Sequence, residues 1–441
     1  MATLRLCAAS CLCLVLLTLL GGCRSAPEAT QVVFWTSEVE QDRMEVQQAL
    51  ARKFSEAHPG VEVRVVPVDE NVLPEKLASA RAADRLPDVV ELGLTQVVQY
   101  ALEGLLDREA ASEVVRELGE AGFYRGPLEL CRAPAGSGYA AVPLDGWVQG
   151  IWYRKDWFEE KGLPPPDTWS RILEAARALH DPSVPRFGIV LGTHPQQLYT
   201  QQVFEHVALA AGARLLDDAG RFAADPRLLQ ALRFYRELAA FAAPGHTYWR
   251  EARQYYLTGR AAMIFYSPYI IDDIAGLVAE HQPAVPDLAA RTGFVAAIQG
   301  PGGRPAAYGE VYALGVLTGA RPEAKEWVAY LLGPGYPDWL SMAPGGKMPV
   351  RKDALARWRT QALFASYDPG LPDDLAAGFT RLARWGFGAP NGPRLIGDLY
   401  ASKRVPEMVG RVLDNGEPPE RALAWLREKV AQMVGRQAPE R

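Results

Sequence analysis

Apolar positions come in short runs separated by amphipathic stretches. Gln31-Val32-Val33-Phe34-Trp35 is the first such run, with the length of a buried strand. Beyond Thr36-Ser37-Glu38, the residues Val46, Leu50, Phe54 and Ala57 recur at spacings of four, four and three, which sets them on one helix face. His58-Pro59-Gly60 stops that helix, because proline cannot continue the hydrogen-bond ladder and glycine tolerates the turn. Val61, Val63 and Val65 alternate with Glu62 and Arg64, the period of a half-buried strand. A second helix over residues 73–83 leads to Pro87-Asp88-Val89-Val90-Glu91-Leu92, a third strand. Strand, helix, strand, helix, strand at this spacing predicts βαβ units and a parallel sheet.

The pattern changes after residue 140. Gly150-Ile151-Trp152-Tyr153 reads as a strand, and Asp156 with Glu159 marks a helix start that Gly162 stops. Pro164-Pro165-Pro166 forms a stiff loop, and Thr168 caps a helix with Trp169, Leu173 and Ala176 on its inner face. The chain is then mainly helical to residue 277, strand-like at 294–298 and 312–316, and helical again at 321–332, 353–365 and 418–434. No repeat of fixed period is present. This order fits two α/β bodies, with the chain returning to the first after visiting the second.

Composition narrows the class. A length of 441 residues suits two or three units of ~150 residues, and 49% apolar content excludes a disordered chain. Lys+Arg 47 against Asp+Glu 52 leaves a net charge of -5, which argues against a nucleic-acid partner. Of the five cysteines, Cys7, Cys11, Cys13 and Cys23 lie together at the N-terminus. Arg5 supplies a basic n-region, and the apolar run from Leu6 to Leu20 is shorter than the ~20 residues of a membrane span, so it suits a signal peptide. Leu20-Gly21-Gly22-Cys23 resembles the bacterial lipobox. That resemblance implies a leader over residues 1–22, a lipid on Cys23, a tether over 23–30 and an exported cell-envelope protein held at a membrane surface. An ordinary secretory signal with a cysteine near its cleavage site is the plainer alternative. Apart from Cys23 the mature chain keeps only Cys131, so no disulfide framework is expected and the core alone must hold the fold.

Several segments resemble one family in the same order along the chain. They are Pro87-Asp88-Val89-Val90, the stretch from Ile151-Trp152-Tyr153-Arg154-Lys155-Asp156 to Gly162-Leu163 with Pro166-Asp167-Thr168-Trp169, then Tyr256-Leu257-Thr258-Gly259-Arg260-Ala261-Ala262-Met263, Ala306-Ala307-Tyr308-Gly309-Glu310 and Lys347-Met348-Pro349-Val350-Arg351. Together they are similar to the extracellular solute-binding proteins of carbohydrate ABC importers, the family that includes the maltose-binding protein. The resemblance implies a type II periplasmic-binding-protein fold: two α/β lobes, each a parallel-rich sheet flanked by helices, joined by a hinge. Lobe 1 is then expected over 31–143 plus 290–346, and lobe 2 over 146–288 plus 350–441. The implied partners are a carbohydrate ligand, the transmembrane subunits of an ABC permease and the membrane reached through Cys23. The chain is expected to act as a monomer with no cofactor.

Sugar recognition needs flat aromatic faces for C–H surfaces and polar groups for hydroxyls, placed just past strand ends. Trp35, Ser37 and Glu38 follow the first strand, and Thr95 and Gln96 follow the third. The plainer use of Trp35 is as a strand end in the core, and of Thr95 as a helix cap. Asp145 and Trp147, beside Gly146, lie where the resemblance implies the crossing between lobes. Tyr269, in Ser267-Pro268-Tyr269, stands where the family often has a stacking tryptophan, and Gly309 and Glu310 complete the set. Trp385 and Asn391 are further candidates.

Catalytic and metal constellations are missing from the sequence. No H-E-x-x-H, G-x-S-x-G or G-x-x-x-x-G-K-[ST] occurs, and the six histidines show no paired ligand spacing. His194 and His206 read as surface residues. Tyr255-Tyr256 is similar to the tyrosine pairs of ferric-ion binders, although core packing is the simpler use. Two readings compete with sugar binding. One is the same fold holding a polyol, a glycerol phosphoester, a polyamine or a metal. The other is an exported carbohydrate-active enzyme using Glu38, Asp145 and Glu310, which would need two of these carboxylates at a defined separation.

Overall fold

The computed structural model describes residues 29–69, 72–133, 137–217, 221–223, 225–387 and 392–437. The leader, Cys23 and Asn391 lie outside the described residues. The strands are β1 (Thr30–Thr36), β2 (Val61–Pro67), β3 (Val89–Gly93), β4 (Val142–Arg154), β5 (Met263–Tyr266), β6 (Thr292–Val295), β7 (Tyr308–Val316) and β8 (Met348–Pro349). They follow the order β2-β1-β3-β7-β4-β5, with β6 and β8 also paired to β4. β1 runs parallel to β2 and β3, as the βαβ pattern requires. Every partner of β4, and the β3–β7 pair, is antiparallel, so parallel pairing is scarcer than the sequence suggests. The cause lies in β4, which leaves the first body and enters the second while β7 runs back against it.

β4 is the spine of the molecule. At ~3.3 Å per residue its 13 residues extend roughly 43 Å. Val142–Gln149 pair with β7, whereas Gly150–Tyr153 pair with β5 and Ile151–Arg154 with β6. The changeover falls at Gly150, where a Cβ would come within 2.4 Å of the Phe294 ring and 2.5 Å of the Val295 carbonyl oxygen. β5 and β6 therefore flank the far end of β4, one on each edge. This departs from the expectation that the stretch beginning at 290 packs with β1–β3. The helix Gly392–Ser402 packs on Leu94–Leu102, so the C-terminal segment touches the first body as well.

Local signals act as their chemistry dictates. Thr168 caps the helix Trp169–Leu179 by accepting the Arg171 N–H, and Gly162 ends Lys155–Lys161 in the left-handed region at φ 64°. The helix Gln41–Ala57 buries Gln47, Leu50, Ala51 and Phe54, an i, i+3, i+4, i+7 stripe, while Ala57 is exposed and Val46 half-buried. Residues 353–365 are not one helix but short pieces broken near Thr360, whose hydroxyl donates back to the Arg357 carbonyl. Aromatic rings fill both bodies: Phe34 and Phe54 meet Trp327 edge-on, Trp152 meets Phe294 at 4.4 Å, and Trp169 stacks on Phe234. Tyr256 is a core residue bonded to Thr292, and Cys131 is buried and unpaired. His206, read from the sequence as a surface residue, is fully buried between Gln149 and the Ala306 carbonyl, and burial holds its pKa down at about 4.

Candidate functional site

Glu38, Glu91 and Asp145 converge on the ammonium of Lys347, just before β8. The Lys347 side chain is 1% exposed; it pairs with Glu38 and lies 3.1 Å from Asp145 Oδ2. Asp145 Oδ2 also accepts from the Trp339 indole at 2.6 Å. Thr36 and the Ser37 N–H donate to Glu91 Oε2, and Arg43 caps Glu38 from the solvent side at 2.5 Å. Buried charges persist only when paired and hydrogen-bonded in this way. Burial pushes Glu38 up, but Lys347 and Arg43 together hold it below the usual carboxylate range. Burial outweighs Lys347 at Asp145, which is raised, and takes Glu91 to about 7 with help from Glu38 and Asp145.

Glu91 gives a sign-definite expectation. Its folded pKa is raised above the ordinary 4.5, so the folded state binds the extra proton and stability falls as pH rises through about 7. Glu91→Gln mimics the protonated carboxyl. Its stability relative to the natural protein should be unchanged near pH ~4 and higher by about 3 kcal/mol near pH ~8. Urea titrations of both proteins across that range check this.

A second buried network holds Gly309 and Glu310. Glu310 Oε1 accepts the Leu94 N–H at 3.1 Å, and Oε2 accepts from Arg384 at 2.8 Å. Arg384, fully buried, also reaches the Gly309 carbonyl, Glu205 and the Tyr400 hydroxyl. Both carboxylate oxygens of Glu310 are thus engaged within the protein. Three other candidates likewise have internal work. Trp35 is buried with Lys76 over its ring, Gln96 accepts the Gly93 N–H, and Trp385 is buried with its indole bonded to Ala213. Thr95 is half-buried on the first turn of its helix. Glu38 and Asp145 share one cluster, whereas Glu310 belongs to another.

Trp147 and Tyr269 line a cavity of about 390 Å³, and Tyr269 borders the first network, since Lys347, Asp145, Glu38 and Arg43 all lie close enough to act on its hydroxyl. Trp147 is the residue of β4 that is not fully buried. Its neighbour on the same strand face, Gln149, also lines the cavity. Tyr199 and Gln202 come from the helix Leu198–Ala210, and Trp249 and Arg253, one turn apart, from Trp249–Leu257. Tyr266 and Ser267 follow from β5. Trp249 and Tyr269 are more than a third exposed, as large rings are when they wall a recess. Arg253 donates to Asp273 at 3.1 Å and approaches the His281 ring at 3.0 Å, so its charge is matched locally. The sequence reading missed Gln149, Tyr199, Gln202, Trp249, Arg253, Tyr266 and Ser267 as lining residues. Period two from Trp147 would have found Gln149. A larger hollow, about 660 Å³, lies by Tyr336, Leu340 and Trp358 and contains none of the strand-end candidates. Among the described residues no group of three or more His, Cys, Asp or Glu is placed to hold a metal ion.

Comparison with known proteins gives the same architecture. The family model for bacterial extracellular solute-binding proteins matches residues 37–336. YcjN of Escherichia coli (strain K12), which carries the name of an ABC transporter periplasmic-binding protein, is 30% identical over 408 residues, 90% of this chain and 92% of its own length. The sugar-binding protein MalE from Xanthomonas citri superposes with a TM-score of 0.74 at 21% identity, covering 92% of this chain and 98% of that one. An ABC transporter solute-binding protein from Agrobacterium radiobacter K84, solved with ribitol, gives 0.69 at 20% identity, covering 92% and 100%.

Proposed function

The chain belongs to the bacterial extracellular solute-binding proteins, exported binding components of ABC transporters rather than enzymes, and we propose that it captures a sugar, small oligosaccharide or sugar alcohol in the cavity beside β4. The observation that carries this is five aromatic rings, those of Trp147, Tyr199, Trp249, Tyr266 and Tyr269, around one recess with amide and hydroxyl groups between them. Rings of this kind cover C–H faces, and Gln202 and Ser267 suit hydroxyls. A volume of about 390 Å³ is near the small end of ligand pockets, which favours one or two rings or a linear polyol. Converging carboxylates would have favoured a cation, but Lys347 and Arg43 between them match Glu38 and Asp145. Arg253, matched by Asp273, likewise makes no demand for a phosphate.

In this reading residues up to 143 and the β7 region form one lobe, and most of the chain after 146 forms the other. The lobes hinge where β4 changes partners near Gly150 and close on the solute, excluding water and strengthening the hydrogen bonds inside. The closed form presents the solute to a permease, and a lipid on Cys23 keeps the protein at the membrane surface.

Calorimetry against glucose, maltose, lactose, mannitol and ribitol tests the ligand class, and no binding to any of them sinks it. Trp147→Ala and Tyr269→Ala should each weaken the tightest of these by at least about tenfold, near 1.4 kcal/mol. Tyr269→Phe keeps the ring and should lose less.

A further inference from the structure

We propose that Gly346 is a positioning residue for the ligand site: it is the seat on which the Tyr269 ring must lie for the cavity to keep its shape. This rests on the reading of that cavity as the solute site. Tyr269 projects from the turn Pro268–Ile270 that follows β5, and its ring lines the recess. The same ring meets the turn that ends at Lys347. A Cβ built on Gly346 would fall 2.0 Å from one Tyr269 ring carbon (Cε1), 2.2 Å from Cδ1 and 2.4 Å from Cζ. Carbon atoms pack at ~3.5–4.0 Å, so an alanine there requires a shift of about 1.5 Å.

The turn is poorly placed to make that shift. The N–H groups of Gly346 and Lys347 both donate to the Ala343 carbonyl, at 3.0 and 2.8 Å. The Lys347 side chain is held by Glu38 and Asp145, inside the first body. A Cβ on Gly345 would also sit 3.2 Å from the Pro268 carbonyl oxygen, so the two segments approach along their backbones. Nor is the glycine needed for its own conformation, since Gly346 is not among the positive-φ glycines. The three atoms nearest that Cβ all belong to the ring, so the ring is what a larger residue would displace. The same ring lines the cavity, so its displacement changes the space a solute would occupy.

A double-mutant cycle of Gly346→Ala and Tyr269→Ala tests this, read by affinity for maltose, glucose and ribitol and by melting temperature without ligand. The expected result is a loss of at least about tenfold in affinity for Gly346→Ala alone, and less than about twofold when it is added to Tyr269→Ala. The melting temperature should fall in the first background and hold in the second. Equal losses in both backgrounds overturn the proposal, as does a Gly346→Ala protein identical to the natural one in both readouts. If the single variant does not fold, folding of the double variant supports the contact, and failure of both overturns it. If the natural protein binds none of the probes, the solute reading fails, and the melting cycle still decides whether Tyr269 is what Gly346 accommodates.

Discussion

Arg384→Met is expected to destabilise the fold by about 3–5 kcal/mol, because it strips the cation from a buried network and leaves two carboxylates behind. Arg384 is 0% exposed at its side chain, and so is Glu205; Glu310 is 17% exposed. Three guanidinium nitrogens donate to Glu205, Gly309, Glu310 and Tyr400, a fork that lysine, with a single nitrogen, cannot reproduce. Burial already raises the Glu205 pKa against the pull of Arg384. Without the arginine that pKa rises further, the folded state binds more protons than the unfolded, and the deficit shrinks as pH falls. Urea midpoints near pH ~8 and ~5 should show the larger gap at the higher pH. Neutralising the carboxylates as well, in Glu205→Gln/Glu310→Gln/Arg384→Met, should recover much of the loss. A triple variant as unstable as the single one would place the effect in lost packing rather than in uncompensated charge.

The same network shows why parts of the site were hidden in the sequence. Glu310 stands just before the strand-like run at 312–316, in a segment the family resemblance offered to a ligand, yet its partner Arg384 is 74 residues away and Glu205 lies further still. Asp145 is matched by Lys347 at a separation of 202. Periodicity reports which face of an element is apolar and says nothing of distant ion partners. β1, β2 and β3 were legible because valines alternate or run together there. Only the second half of β4 was, since Pro143, Asp145 and Gly146 are weak strand formers whose pairing depends on β7. His206 was misread for a related reason. The helix Leu198–Ala210 is buried on nearly all sides, so it has no polar face against which a core histidine stands out. Trp147 and Tyr269 were named from the family resemblance, Trp147 at the implied crossing between lobes and Tyr269 where the family often has a stacking tryptophan, and both line the cavity. Tyr199, Trp249 and Arg253 reach the cavity from helices whose approach is tertiary.

Lys347→Met should be at least as damaging, about 3–5 kcal/mol or more, because one ammonium answers three carboxylates. Desolvation opposes the charge on Lys347, yet Asp145, Glu38 and Glu91 raise its pKa overall, so it stays protonated throughout the neutral range. Removing it leaves Glu38 with Arg43 alone and Asp145 with the Trp339 indole. The carboxyl pKa values then climb, and the sign follows as for Glu91: the variant loses most stability at high pH and regains it as pH falls. Arg43→Met is the control. Arg43 is 28% exposed at its side chain and bonds only the outer oxygen of Glu38, so water can replace it and the cost should stay within about 1 kcal/mol. If Arg43→Met costs as much as Lys347→Met, burial is not what makes the cluster matter. Lys347→Met carries a second consequence that Arg43→Met does not. It frees the turn beneath Tyr269, so at a pH where the variant is still folded its affinity for the solute should fall while that of Arg43→Met holds.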